Sequence, residues 1–257
     1  ALGTTLAQAI SVAVALVTVK KRRLGLALTK ADFKPQRCLM APILKVGLPI
    51  ALQDGLIQIA FILITVIANG RGLNDAAAVG IVEKIISFLF LVPSTLLSAV
   101  SALGAQSFGA GKPQRAKATL GYAVLIAGAF GLVVSVFMQF FAVQTVGLFT
   151  ASKTVAAAGG QYLRGYVWDC VFAGIHFSFS GYFCACQKSG LSFMHNIIAI
   201  VCMRVPGVYV TSKLYPGSLL PMGLATAAGS LISVLICVVA FGVLNKKEKA
   251  VLAGGAK

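Results

Sequence analysis

Long apolar stretches alternate with short polar segments along the whole chain. Seven of these stretches have about the length of 20 residues that an α-helix needs to cross the hydrocarbon core of a membrane. They predict seven transmembrane helices, at 1–19, 46–69, 78–107, 118–143, 158–186, 191–213 and 219–244. Hydrophobic residues make up 58% of the chain and the mean hydropathy is +0.93, far above that of a soluble domain. The sequence therefore predicts an all-α integral membrane protein.

Basic residues are concentrated on one side of these helices. Sixteen of the 22 Lys and Arg residues fall in segments that join the helices on that side. The positive-inside rule places this side in the cytoplasm, with the first residue outside and the C-terminus inside. The net charge of +16 is then an orientation signal and a contact for lipid headgroups, and we expect no nucleic-acid partner.

A basic connection separates the first helix from the other six. We predict four parts: 1–19 is the last helix of an N-terminal lobe, 20–45 is a basic cytoplasmic linker, 46–245 is a six-helix lobe, and 246–257 is a cytoplasmic tail. The chain starts with Ala1 and has no charged region before its first apolar stretch. That start does not have the form of a signal peptide, so we expect the native chain to extend before Ala1.

The familiar motifs of enzymes and metal sites do not occur. The glycine-rich stretch at 104–117 lacks the spacing of a phosphate-binding loop, because Pro113 follows Lys112, and it predicts a tight cytoplasmic turn instead. His176 and His195 have no Cys or Asp at ligand spacing, which favours packed core histidines. Most of the six cysteines lie within the helices, so a disulfide framework is not expected. We therefore expect neither an enzyme nor a resident cofactor.

Small residues and prolines mark close packing and kinks. The small residues recur at helix-packing intervals, at Gly174, Ser178 and Gly181 and at Ser101, Gly104 and Gly109. Small faces let membrane helices approach closely, so this pattern favours helix packing over a substrate path. Pro93 and Pro206 lie inside apolar stretches, where a missing N–H predicts kinks.

One carboxylate lies deep inside the second predicted helix, in the run GLPIALQDGLIQ. Asp54 is eight residues past the predicted start at 46, or roughly 12 Å along the helix. A carboxylate at the membrane centre costs about 2.5–3.5 kcal/mol on the insertion scale. It is tolerated where it faces a polar cavity, has a partner or is protonated. Gln53 and Gln58 add polar groups to the same helix, and no basic partner is evident at that depth, which favours a functional role for Asp54.

A second carboxylate, Asp169, lies in the run YLRGYVWDCVFAGIHF. Tyr166 stands three residues earlier, where a phenol on the same helix can reach the carboxylate. Arg204 falls at a similar depth on the following antiparallel helix. Two interpretations stay open, an Asp169–Arg204 ion pair that neutralises both charges, or a functional carboxylate. Glu83 and Lys84 are predicted to lie at the membrane interface, near the outer end of the third helix.

Several motifs in order resemble those of one transporter family. They are GLPIALQD, GAQSFGAGKPQRAK, YLRGYVWD followed by SGYFCACQKSG, then RVPGVYV and PGSLLPMGLATAAGSLIS. From about residue 40 to 245 the chain resembles the C-terminal lobe of multidrug and toxic compound extrusion (MATE) transporters, most strongly their bacterial, Firmicutes-type branch. The resemblance implies a V-shaped, twelve-helix antiporter made of two six-helix lobes, one of which is formed by the last six helices here. Where family members often have Gly-x-Gly, this chain reads CACQ at 184–187.

The resemblance also implies roles for the two carboxylates. In several members, acids in the first and fourth helices of the C-terminal lobe bind the coupling cation, so Asp54 and Asp169 are the candidate cation-coupling residues. Na⁺ at these two acids and H⁺ are the candidate coupling ions. The residues that would support them or line a substrate cavity are Gln53, Gln58, Tyr166 and Arg204.

The function implied is export of drugs or other cationic or amphipathic compounds across a bacterial inner (plasma) membrane. The partners implied are a small organic substrate, membrane lipid and the N-terminal lobe of the same protein. Two alternatives stay open. A lipid-linked sugar flippase of the same superfamily would be expected to place several basic residues in its cavity. A membrane domain that does not transport would have its acids permanently paired.

Overall fold

The computed structural model describes residues 2–21 and 36–254, and this part of the chain is built from helices and short turns. The helices are α1 (Leu2–Lys21), α2 (Arg37–Asn69), α3 (Leu73–Leu89), α4 (Leu91–Gly109), α5 (Pro113–Gly147), α6 (Lys153–Tyr166), α7 (Asp169–Ala185), α8 (Ser189–Ala199), α9 (Val205–Leu214) and α10 (Leu220–Gly254). A π turn, Ile200–Arg204, joins α8 to α9. The predicted all-α class is confirmed. Residues 22–35 of the predicted linker and 255–257 of the predicted tail lie outside the described residues.

Five helical segments are long and apolar enough to cross a membrane. They are Ile43–Asn69, Leu73–Gly109, Pro113–Gly147, Ser189–Leu214 and Leu220–Lys246. The apolar stretch of α1, Thr5–Thr18, is shorter than these, and the predicted helix 158–186 is divided into α6 and α7. The count of seven crossings therefore stays a prediction.

Three of the predicted helices are interrupted, and four helices (α2, α3, α5 and α6) start five or more residues earlier than expected. Pro93 lies in the first turn of α4 and Pro206 in the first turn of α9, where a missing N–H breaks no helical hydrogen bond. The helix α2 begins at Arg37, so the end of the predicted linker is helical. The helix α3 begins at Leu73 instead of 78, because the polar residues that suggested a loop form its first turn.

The described residues divide into two compact units between Pro42 and Ile43. In the second unit α7 is the central helix, and it packs against α4, α5, α8 and α10. One apolar cluster lies around Tyr162 and Tyr166, and the other lies around Phe179 and Phe183. Large apolar side chains such as Phe140 are exposed on the outside of the bundle, as expected for helices solvated by lipid.

Glycines allow the helices around α7 to come into backbone contact. A Cβ on Gly181 would lie 2.5 Å from the carbonyl oxygen of Leu97 on α4. A Cβ on Gly174 would lie 2.8 Å from Ala127 on α5, and one on Gly104 would lie 2.8 Å from Ala185. The predicted packing role of these small residues is confirmed at these positions. Gly109, in contrast, has open space beside it.

Arg71 fastens the α9–α10 connection to the turn between α2 and α3. Its Nε forms an ion pair with Asp75 at 2.8 Å. Its Nη1 donates to the carbonyl of Ser212 and its Nη2 to that of Pro216, each at 2.8 Å, and two further carbonyls of the connection also accept from it. One side chain therefore holds this end of the second unit together.

Candidate functional site

Asp169 and Arg204 form an ion pair inside the helical bundle. The Oδ2 atom of Asp169 accepts a hydrogen bond from Nη2 of Arg204 at 2.5 Å. Asp169 is 0% exposed and Arg204 is 8% exposed, so both charged residues are buried. The structure thus shows the predicted ion pair. Buried charges of this kind remain stable only while each has its partner.

Both partners lie at irregular points of the backbone. Asp169 is the first residue of α7, directly after the two-residue break that ends α6, and a carboxylate is favoured at a helix N-terminus. Arg204 is the last residue of the π turn, just before Pro206. A π turn places one extra residue in the helix and is frequent at functional sites. Gly229 of α10 lies against the backbone and Cβ of Arg204, so α10 can close over the pair.

Tyr166 binds the arginine and not the carboxylate. Its hydroxyl oxygen accepts a hydrogen bond from Arg204 Nη2 at 3.3 Å, and Asp169 makes no hydrogen bond to it. The spacing argument was wrong on this point, because it assumed one continuous helix while the chain breaks between α6 and α7. The guanidinium also lies 5.8 Å from the ring centres of Phe61 and Tyr166, a cation–π geometry.

Glu83 is a third charged residue near this pair, and its location differs from the prediction. It lies half-buried between α3 and α2, where the hydroxyl of Thr65 stands 3.3 Å from each carboxylate oxygen. Arg204 is close enough to interact with it electrostatically. The prediction placed it at the interface because the helix start was set at 78. The helix in fact starts at Leu73, so Glu83 is ten residues into the segment. A sequence-based prediction with that start would have given the same depth.

Asp54 lies apart from this cluster. It is exposed near the middle of α2, and no hydrogen bond or ion pair joins it to any residue the structure describes. Gln58, one helical turn further on, is also exposed. Gln53 points inward instead, and its Oε1 accepts a hydrogen bond from Ser192 of α8 at 2.7 Å. The structure therefore brings together Asp169, Arg204 and Tyr166 but leaves Asp54 and Gln58 on a different surface.

A small cavity borders the ion pair on the side of α10. Its volume is about 40 Å³, which is enough for a water molecule. Its polar lining consists of Arg204, Ser230, Ser233, Asn196 and His176. The second oxygen of Asp169, Oδ1, has no hydrogen-bond partner among the described residues. Those residues also contain no group of three or more His, Cys, Asp or Glu side chains able to hold a metal ion.

A comparison with protein families identifies the class of the chain. The model for the MatE family matches residues 49–210, which is more than half of the chain. The chain belongs to the MatE family. The resemblance that the sequence motifs indicated is thereby confirmed at the level of the family.

Relatives and solved structures agree with this MatE assignment. The chain is 25% identical over 164 residues to the probable multidrug resistance protein YoeA of Bacillus subtilis (strain 168), covering 63% of this chain and 35% of that protein. A crystal structure of a MATE protein in complex with MaL6 matches 90% of this chain at a TM-score of 0.77 and 23% identity. A MOP superfamily transporter from Pyrococcus furiosus, whose reversed pocket polarity suggests a different function, matches 91% at 0.80 and 21% identity.

The chain spans about half the length of these structures, 51% of the first and 53% of the second. The similarity shows that the chain has the fold of a MATE protein over that half. The relatives are transporters and not enzymes, and the apolar helices make this a multi-pass membrane protein.

Proposed function

We propose that this chain is the C-terminal part of a cation-coupled antiporter that exports drugs or other cationic or amphipathic compounds. The single observation that carries the proposal is the buried Asp169–Arg204 ion pair, whose arginine lines a small cavity. Membership of the MatE family supports the class of transporter, and the multidrug resistance relative supports the class of substrate. The other six-helix lobe of the twelve-helix protein would supply the second wall of the substrate path.

The ion pair supports coupling because its two charges cannot separate independently. A Na⁺ or H⁺ that binds Asp169 must displace Arg204, and a buried charge without its partner is destabilising by about 3–5 kcal/mol. Glu83 interacts electrostatically with Arg204 and would be the second partner of the guanidinium. Binding of the ion and a shift of Arg204 from α7 toward α3 then occur together. A ligand with different affinity for two such states shifts the balance between them.

Asp54 would act on the substrate path. An exposed carboxylate in the middle of an apolar span cannot face hydrocarbon without a cost of about 2.5–3.5 kcal/mol. Asp54 and Gln58 lie one turn apart and share a helix face. We place this face toward the second lobe, where the carboxylate would attract a cationic substrate or a second coupling ion.

The proposal also includes the cellular location of the protein and its orientation in the membrane. The protein would lie in the bacterial inner membrane, with α1 and the α6–α7 pair completing seven crossings and with the C-terminus in the cytoplasm. This orientation places the α4–α5 turn in the cytoplasm and the Arg71 connection outside, in agreement with the bias of basic residues.

The flippase alternative is less well supported. A cavity for a lipid-linked sugar would be expected to present several basic residues. Among the described residues Arg204 is the only Lys or Arg that lines the cavity beside the ion pair, and Asp169 neutralises it.

The test is efflux by the complete gene product, reconstituted in proteoliposomes with an imposed Na⁺ or pH gradient. A cationic dye such as ethidium serves as the substrate. Asp169→Asn and Asp54→Asn should each reduce ion-driven transport, whereas Asp75→Asn, which removes a carboxylate at the far end of α3, should not. Unchanged transport in both test variants would refute the site. No dye transport by the wild type under either gradient would instead favour a membrane domain that does not transport.

A further inference from the structure

Two histidines meet in the interior of the bundle. His176 of α7 is 4% exposed and His195 of α8 is 0% exposed. Their ring centres are 5.4 Å apart. Nε2 of His195 shares a hydrogen bond of 2.9 Å with the hydroxyl of Ser180, in which either atom can donate. The predicted core location is therefore right, but the contact between the two rings was not foreseen.

Each of these imidazoles has a nitrogen that no neighbouring group satisfies. Nδ1 of His176 and Nδ1 of His195 are both buried and have no hydrogen-bond partner among the described residues. Buried polar atoms in proteins nearly always have a partner in the protein or in ordered water. Packing alone does not account for two such nitrogens side by side.

The cavity beside the ion pair connects His176 to the candidate coupling site. His176 lines one part of this cavity and Arg204 lines another. Ser230 and Ser233 of α10 and Asn196 of α8 supply polar groups between them. A cavity of about 40 Å³ that has these polar groups in an otherwise apolar lining has room for a water molecule that bridges them.

From His195 the polar groups continue along α8 toward its first residue. The buried face of α8 carries Ser189, Ser192, His195 and Asn196. The hydroxyl of Ser192 donates to Gln53 of α2, and that of Ser189 donates to the carbonyl of Lys45 at 3.4 Å. In the proposed orientation, this end of α8 is the cytoplasmic one. The polar groups thus run from the buried ion pair to the cytoplasmic side.

We propose that His176 and His195 relay protons between Asp169 and the cytoplasm. This inference rests on the proposed antiport and assigns H⁺ as the coupling ion. Protonated Asp169 gives its proton to water in the cavity, and the carboxylate that forms takes Arg204 back as its partner. His176 accepts the proton at one ring nitrogen and releases one from the other, and His195 passes it toward the start of α8. Imidazole suits this task because each of its two ring nitrogens can accept or release a proton.

Few charges face the two histidines. Arg204 of the π turn and His195 of α8 are the charged or titratable groups that act on His176. The helices α10 and α2 present uncharged residues to the cavity, Ser230 and Ser233 from α10 and Ile57 from α2. Ser180 faces His195 from α7. A proton on His176 therefore has Arg204 as its unfavourable charged neighbour, and Asp169 neutralises that charge once its own proton has left.

The experiment compares two transport modes of the complete gene product in proteoliposomes. Ethidium efflux driven by a pH gradient needs net proton movement, whereas exchange of ethidium for ethidium without a gradient does not. His176→Gln and His195→Gln keep a polar group of similar reach but cannot carry a proton. Each should reduce the gradient-driven rate on the order of tenfold or more and leave the exchange rate within about twofold. Ser180→Ala, which removes a neighbour and keeps the imidazole, should leave both rates close to wild type.

Several results would overturn the relay. Unchanged gradient-driven transport in both histidine variants would show that the rings only pack. An equal loss of both transport modes would show a structural role. Wild-type transport driven by Na⁺ but not by a pH gradient would remove the relay and leave the antiport intact. Absence of dye exchange in the wild type would remove the proposed function itself.

Discussion

Arg204 donates to Asp169 across 2.5 Å, and this contact joins the end of the π turn to the first residue of α7. Two irregular points of the second unit, the break between α6 and α7 and the π turn, are therefore tied together by one ion pair. Whether the Asp169–Arg204 ion pair is formed or broken therefore affects how firmly α7 is held against the α8–α9 segment.

Removal of one charge should destabilise the protein more than removal of both. Arg204→Gln leaves Asp169 buried and unpaired, so we expect the free energy of unfolding to fall by about 3–5 kcal/mol. Adding Asp169→Asn should recover part of this loss, because the unpaired carboxylate is gone. Thermal unfolding in detergent compares the single and the double variant with the wild type. Equal losses for the single and the double variant would show that the charges are not coupled.

Glu83 should matter for transport although its side chain is only half-buried. Glu83→Gln removes the second carboxylate near Arg204, so the displaced guanidinium would have no charged partner. We expect ion-driven dye efflux to fall on the order of tenfold, which corresponds to about 1.4 kcal/mol. Lys84→Gln is the matched control, because Lys84 is the exposed neighbour in sequence. Equal effects of the two substitutions would assign Glu83 a general electrostatic role.

The contact between α4 and α7 should not tolerate a methyl group. Gly181→Ala places a Cβ 2.5 Å from a backbone oxygen, so the helices must move apart. We expect a loss of about 1–3 kcal/mol in stability, typical of overpacking. Gly128→Ala introduces the same group in the interior of α5, where nothing lies within 4 Å, and should be neutral. Comparable melting temperatures for the two variants would contradict this account.

Arg71 should stabilise one end of the second unit. Arg71→Gln loses the ion pair with Asp75 and most of the hydrogen bonds to backbone carbonyls. We expect a loss of about 2 kcal/mol or more, since hydrogen bonds to charged groups contribute more than neutral ones. Limited proteolysis of the 215–219 connection should become faster. Lys213→Gln, a nearby charge change without these bonds, should leave the cleavage rate unchanged.

The orientation can be tested with single cysteines in a background that lacks the six native ones. A cysteine at Ala110, in the exposed α4–α5 turn, should react with a membrane-impermeant maleimide only in inside-out vesicles. A cysteine at Gly217 should react only in intact spheroplasts. The reverse pattern would overturn the proposed topology and with it the direction of the proton path.

The sequence was sufficient for most of the helical segments, and it offered the ion pair as one of two interpretations. Apolar length marks a membrane helix because the bilayer sets its minimum, and counting residues along antiparallel helices placed Asp169 and Arg204 at the same depth. The helix breaks were not predicted. The break between α6 and α7 consists of Val167 and Trp168, so neither a proline nor a glycine marks it in the sequence. It depends on the packing of α6 and α7 against α5 and α10. The wrong partner for Tyr166 follows directly from that missed break.

The exposed position of Asp54 was also beyond sequence reasoning. In a soluble helix the polar face marks the solvent side, but a membrane helix is apolar both toward lipid and toward its neighbours. Gln53 and Asp54 are adjacent and equally polar, yet one is buried against α8 and the other is exposed. Only the packing distinguishes them.

The π turn also makes the site sensitive to chain length. One additional residue in a helical turn rotates every later side chain by about 100° around the axis. Deletion of a single residue between Ile200 and Met203 would restore an ordinary α-helix and rotate α9 relative to α8, so that Arg204 and Val208 could not both keep their present buried positions. The number of residues in this turn therefore determines the site as much as the arginine does. A comparison of family members should first align the extra residue of the π turn and then the position of the arginine.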